Sequence, residues 1–212
     1  MAKAIIFDLD GVLVDSKEIH FNSLNLALSN VGREFVISKS EQDNIFEGLT
    51  TKSKLTILSQ LKNLDASLHG QIWKDKQAFS TAMFSSVSRD TELISLFNYI
   101  KSHDILIGVA SNSIRSTLDG CLAALGLDRI IDYSLSNEDV SAPKPNPEIY
   151  IKCMNYFGAA SSDVVIFEDS PIGKAAAIAS GATVVEVINR ADLTLEKIAK
   201  SVMQLTVGSQ DV

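Results

Sequence analysis

The stretch Ala4 to Ser16 reads AIIFDLDGVLVDS, an apolar run that delivers Asp8 and Asp10 two positions apart and hands over to Gly11. Side chains alternate along an extended chain, so the two carboxylates can point to the same side, one attacking and the other moving protons. A buried strand that ends in acids, with a glycine to release the chain, sets those acids at the carboxyl edge of a sheet, where open α/β folds build their sites. Asp-x-Asp-Gly alone is also an ordinary turn sequence. Three downstream segments decide between the two: VASNS with Ser111 and Asn112, APKPNPEIY with Lys144, and VVIFEDS with Glu168 and Asp169. Each closes or follows an apolar β-like run, or opens a helix.

These four signatures, in this order, resemble the haloacid dehalogenase superfamily of phosphotransferases. Within it the chain is similar to the small phosphatases and the β-phosphoglucomutase branch, in which a helical cap is inserted after the first signature. The resemblance implies an α/β fold, a Rossmann-like doubly wound parallel sheet with a small inserted α-helical cap. It also implies that Asp8 is the nucleophile that takes a phosphoryl group and that Lys144 is the cation facing the phosphoryl oxygens. Attack of one anion on another is electrostatically poor, so a divalent cation is needed, and Mg²⁺ suits a few carboxylates with phosphate oxygens and waters. Asp8, the backbone carbonyl of Asp10, and Asp169 are its expected ligands, with Glu168 supporting directly or through water; Glu168 and Asp169 also read as an acidic pair favouring a helix amino terminus. Asp10 is expected to protonate the leaving oxygen and then to activate water. Ser111 and the N–H groups after it, that of Asn112 included, form a cradle for a phosphate oxygen at a strand-to-helix junction.

In the cap, Gly48 and Thr51 of the segment EGLTT resemble a substrate-specificity loop, and His20 and Lys76 match positions used by the mutases. Those mutases carry an arginine where Thr51 stands. One hydroxyl offers no bidentate fork to a second phosphate, so hydrolysis is expected over phosphomutase action, and the intact set Asp8, Asp10, Ser111, Lys144 and Asp169 counts against a silent binding role on the same fold.

The elements that must position these residues can be read from the apolar pattern. Five β-like runs are expected at Ala4 to Phe7, Ile105 to Ala110, Ile131 to Ser134, Val164 to Phe167 and Thr183 to Val187, continuously apolar where strongest, as in a parallel sheet covered on both faces. Helical sequence separates the last four: Ile114 to Leu125 before Gly126, a helix opened by Pro147 as a first-turn proline behind Asn146, and one from Ser170 and Pro171 to Gly181. Between the first two strands lie Lys17 to Asn30, Ser40 to Phe46, Lys52 to Leu64, His69 to Ser86 and Thr91 to Lys101. The first four make the cap, 17–88, and the last returns to a core of 1–16 and 89–212.

The chain has 212 residues, 46% of them hydrophobic, enough for one core domain and a small insert. No run approaches the ~18 apolar residues of a membrane helix and nothing reads as a targeting segment, so a cytoplasmic protein is expected. The net charge of −7 argues against broad nucleic-acid or anionic-membrane binding, which need clustered Lys and Arg. The expected partner is a small phosphorylated metabolite, with the chain a monomer or weak oligomer. Cys121 and Cys153 sit in apolar helical sequence and read as buried thiols.

Overall fold

Five apolar segments pair in parallel in the computed structural model: β1 (Ala4–Phe7), β2 (Leu106–Ala110), β3 (Tyr133–Leu135), β4 (Val164–Glu168) and β5 (Thr183–Glu186), in the order β3-β2-β1-β4-β5. The structure describes residues 3–46 and 49–207. β1 is central, with Ile5 opposite Ile107 on one side and Val165 on the other. All four of its residues are buried. The helices are α1 (Lys17–Ser29), α2 (Lys39–Glu41), α3 (Thr51–Lys62), α4 (His69–Phe84), α5 (Thr91–Lys101), α6 (Arg115–Leu125), α7 (Glu148–Phe157), α8 (Pro171–Ala179) and α9 (Leu195–Val207).

The chain divides into two compact units, Met1–Asp15 with Val87–Val212, and Ser16–Ser86. In the first, alternation along β1 sends Ile6 into a core with Ile149, Tyr150, Cys153 and Ala176 from α7 and α8. On the other face Phe7 stacks on Phe97 of α5 and on Phe167, with ring centroids 4.8 and 5.0 Å apart. In the second unit Leu24, Ala27, Leu28, Ile37, Phe46, Leu55, Leu58 and Ile72 make a separate core.

Several sequence expectations need correction. The third strand is Tyr133–Leu135, two residues later than expected, because the N–H groups of Ile130 and Ile131 bond back to Leu127 O and close a turn. Pro147 stands at the N-cap of α7, and Asn146 Oδ1 accepts from Glu148 N at 3.0 Å. The segment expected as one helix from Ser40 to Phe46 opens at Lys39, where Ser38 and Glu41 form a capping box, and widens into a π-helical turn, Gln42–Phe46. α9 is a further helix beyond those expected.

Candidate active site

The strand order reverses at β1, whose neighbours β2 and β4 lead to opposite sides of the sheet. At such a switch point the connections diverge and leave a crevice at the carboxyl ends of the strands. Asp8 follows β1 directly, and its N–H still pairs with Phe167 O at 3.0 Å. The chain then turns, with Gly11 N donating to Val14 O at 2.7 Å. Gly11 has φ +86°, and a Cβ there would lie 2.1 Å from Asp169 Oδ2. Glycine is required twice over, for its backbone angle and because the Asp169 carboxylate occupies the space of a side chain.

From the end of β2, Ser111 is fully buried and its Oγ accepts from Ser113 N at 2.9 Å. Ser113 Oγ donates to Asp10 Oδ2 at 2.8 Å, which ties the second aspartate to the β2–α6 junction. The N-cap of α6 is Ile114, so Ser111 does not cap that helix. The exposed Asn112 uses its side chain on the backbone of Lys144: Oδ1 accepts from Lys144 N at 3.0 Å, and Nδ2 donates to Lys144 O at 3.2 Å. These two bonds hold the Asn112 side chain against the Lys144 backbone.

Lys144 reaches the same place from the loop before α7, its side chain 3% exposed. Nζ donates to Asp8 Oδ1 at 2.6 Å, Glu168 Oε1 at 2.7 Å and Ala110 O at 2.8 Å. An ammonium has three donors, and each is used. Burial alone would lower the Lys144 pKa, but Asp8, with Tyr150 and Glu168, holds it well above its ordinary value. Asp8 is pushed well above the usual carboxylate range, first by burial and then by Glu168 and Asp10, against the pull of Lys144. One ammonium therefore does not balance the acids gathered here.

Those acids could hold a cation. Ligand oxygens of Asp8, Glu168 and Asp169 lie within 4.8 Å of one another. An all-oxygen set of carboxylates suits a hard divalent ion such as Mg²⁺. Glu168 is differently occupied from the other two. Its Oε1 accepts from Lys144 and from Tyr150 Oη at 2.8 Å, and its Oε2 accepts from Ser170 N and Oγ at 3.2 Å each. Gly173, in the first turn of α8, allows this approach, since a Cβ there would lie 1.8 Å from Glu168 Oε1.

The residues expected in the cap belong to the other unit. His20 and Lys76 come together, Lys76 Nζ lying 3.2 Å from His20 Nδ1. Thr51 is the first residue of α3, behind the N-cap Thr50. Gly48 lies outside the described residues. Three contributors were not singled out from the sequence: Ser113, Tyr150 and Gly173. Gly173 carried a usable signal, because a glycine inside a helical pattern marks a close approach. Tyr150 carried none beyond its place in PEIY, since periodicity reports its burial and not its hydroxyl.

The model of the haloacid dehalogenase-like hydrolase family matches residues 5–187. Among relatives, the fructose-1-phosphate phosphatase YqaB of Escherichia coli is 26% identical over 187 residues, which span 86% of this chain and 95% of that one. The phosphorylated carbohydrates phosphatase of Thermotoga maritima is 25% identical over 183 residues, 84% of this chain and 82% of that one. The crystal structure of a β-phosphoglucomutase from Clostridium difficile shares the fold, with a TM-score of 0.77 at 20% identity, covering 98% of this chain and all of that one. With the four polar signatures at the ends of a parallel sheet and the family match running from β1 to the end of β5, this chain belongs to the haloacid dehalogenase-like hydrolases.

Proposed function

We propose that this chain is a Mg²⁺-dependent phosphatase that hydrolyses a small phosphorylated metabolite, a sugar phosphate or similar phosphomonoester, by way of a phosphoryl group carried on Asp8. The carrying observation is the convergence of Asp8, Glu168, Asp169 and Lys144 at one sheet edge, with Asp10 tied to the adjacent junction. The two named relatives act on phosphorylated sugars and supply the substrate class.

In this reading a carboxylate oxygen of Asp8 attacks phosphorus while the bond to the substrate oxygen breaks. Asp10 gives its proton to that leaving oxygen. Asp10 then takes a proton from water as the water attacks the phosphoryl group, the bond to Asp8 breaks, and inorganic phosphate leaves with Asp8 restored. Lys144 lies against the attacking carboxylate and faces the phosphoryl oxygens, and Ser111 with the Asn112 N–H cradles them. Asp8, Asp169 and the Asp10 carbonyl would hold Mg²⁺, which when bound neutralises charge as two anions meet. Glu168, with both oxygens engaged, serves chiefly to hold Lys144. Thr51, His20, Lys76 and Gly48 are the proposed substrate residues of the helical unit.

A panel of phosphomonoesters assayed for phosphate release with Mg²⁺, and again after exhaustive chelation, tests this. Release only with the metal is expected, and Asp10→Asn should slow it by ~10²–10⁴-fold, as for general acid–base residues. No release from any ester, or full release after chelation, overturns the reading. With β-glucose 1-phosphate and a trace of glucose 1,6-bisphosphate, glucose 6-phosphate formed faster than phosphate would replace it with mutase action.

A further inference from the structure

We infer that Tyr150 is a positioning residue for Lys144: its buried hydroxyl fixes Glu168, and its ring underlies the lysine, so that the ammonium stays aimed at Asp8. This rests on the phosphatase reading of the site. Tyr150 is fully buried and touches both members of the ion pair. Its Oη donates to Glu168 Oε1 at 2.8 Å, the oxygen that also accepts from Lys144 Nζ. Lys144 Nζ lies 4.7 Å from the centroid of its ring, within range of a cation–π contact.

The core does not explain the hydroxyl. The ring packs among Ile6, Ala110, Ile149, Cys153 and Ile166, where phenylalanine would serve as well, and a buried hydroxyl is costly unless it is bonded. What the hydroxyl adds is control of the carboxylate. The terminal torsion of a glutamate is broad and is fixed only by its bonding partners. Ser170 holds Oε2 from the β4–α8 junction, while Tyr150 holds Oε1 from α7. Because α7 begins four residues after Lys144, the tyrosine also links the lysine's own loop to the end of β4.

The test is Tyr150→Phe in the full chain, which keeps the ring and removes the bond. With p-nitrophenyl phosphate and saturating Mg²⁺, kcat should fall by about 10- to 100-fold, as when the partner of a site ligand is lost, with KM within about 2-fold and thermal unfolding little moved. A purely structural role would lower the unfolding temperature and leave kcat per folded molecule unchanged. A second readout needs no turnover: a ¹H–¹⁵N spectrum of lysine ammonium groups, with the Lys144 Nζ signal assigned in the parent itself through its own side-chain carbons. The parent should show a persistent Lys144 signal, and Tyr150→Phe should broaden or lose it through faster exchange. Unchanged kcat, or an unchanged ammonium signal in Tyr150→Phe, overturns the inference. So does a parent spectrum with no persistent Lys144 signal, a measurement that stands even if the variant does not fold. If the parent hydrolyses nothing, the phosphatase reading fails while the spectrum still decides the role of Tyr150.

Discussion

Lys144 and Lys76 are buried to nearly the same degree, 6% and 7% exposed, one in each unit, and their surroundings differ. Lys144 meets two acids and a carbonyl that arrive on the ends of β1, β2 and β4. Lys76 projects from the middle of α4, with the His20 ring of α1 among its partners and a buried Ser23–Ser80 hydroxyl pair, 2.8 Å apart, one turn further along. Parallel strand ends gather opposite charges from distant parts of the chain onto one point. Two packed helices gather side chains at i, i+3 and i+4 spacing instead, the His20 ring and the Ser23 and Ser80 hydroxyls among them.

The largest expected effect falls at Lys144. Lys144→Met leaves Asp8 and Glu168 buried without their ammonium, and breaking a buried pair in this way costs about 3–5 kcal/mol. Turnover should vanish with it. Denaturant unfolding of Lys144→Met beside the parent measures the loss, and a variant as stable as the parent would overturn the account of Lys144 as the ammonium that two buried acids require.

Much of the core site was legible because its chemistry lies at element ends, where an apolar run stops at a polar group. β1 and α5 have the limits read from the sequence, and Asp8, Ser111, Lys144 and Asp169 stand where runs end or helices begin. What was not legible depends on tertiary approach. Tyr150 reads as an apolar helical position, and only the folded chain shows where its hydroxyl goes. The shift of β3 came from Ile130 and Ile131, whose hydrophobicity reads as strand while their N–H groups close a turn. In α9 the buried Ile198, Val202 and Leu205 keep a helical period, but Lys197, Lys200, Ser201 and Gln204 stand before and between them and give the run the look of a polar tail.

A smaller effect compares two helical glycines. A Cβ at Gly173 would lie 1.8 Å from Glu168 Oε1, so Gly173→Ala must displace the amino end of α8 or the carboxylate that holds Lys144. Overpacking of this kind costs roughly 1–3 kcal/mol, and kcat should fall with it. Gly70, in the first turn of α4, has nothing within 4 Å of the same added atom. Gly70→Ala should stabilise by about 0.5–1 kcal/mol, through the backbone freedom it removes from the unfolded chain. A Gly173→Ala variant as stable and active as the parent would show that the carboxylate has room to move, and would weaken the view of the core site as rigid.

The smallest effect concerns two half-buried glutamates whose pKa values are both held down at about 2 from an ordinary 4.5. In the helical unit Glu41 is lowered chiefly by the Ser38 N–H, within the capping box of α2. In the core Glu148 is lowered chiefly by its bond with Lys152, and then by the N–H groups of Ser141 and Ala142, which open the loop leading to Lys144. In both the folded pKa lies below the unfolded one, so each contributes stability that is present above about 4.5 and lost as the pH falls toward 2. Glu41→Gln and Glu148→Gln should therefore each flatten the acid limb of the unfolding curve while changing little above it. Their effects on turnover should part company at neutral pH. Glu148→Gln loosens the loop that delivers Lys144 and should lower kcat severalfold, whereas Glu41→Gln acts on a helix start in the other unit and should leave kcat alone. Unfolding temperatures from pH 2 to 7, with phosphate release at pH 7, check both parts. Equal kcat in the two variants would show that Asn112, which clamps the Lys144 backbone from the β2 side, fixes the lysine without help from Glu148.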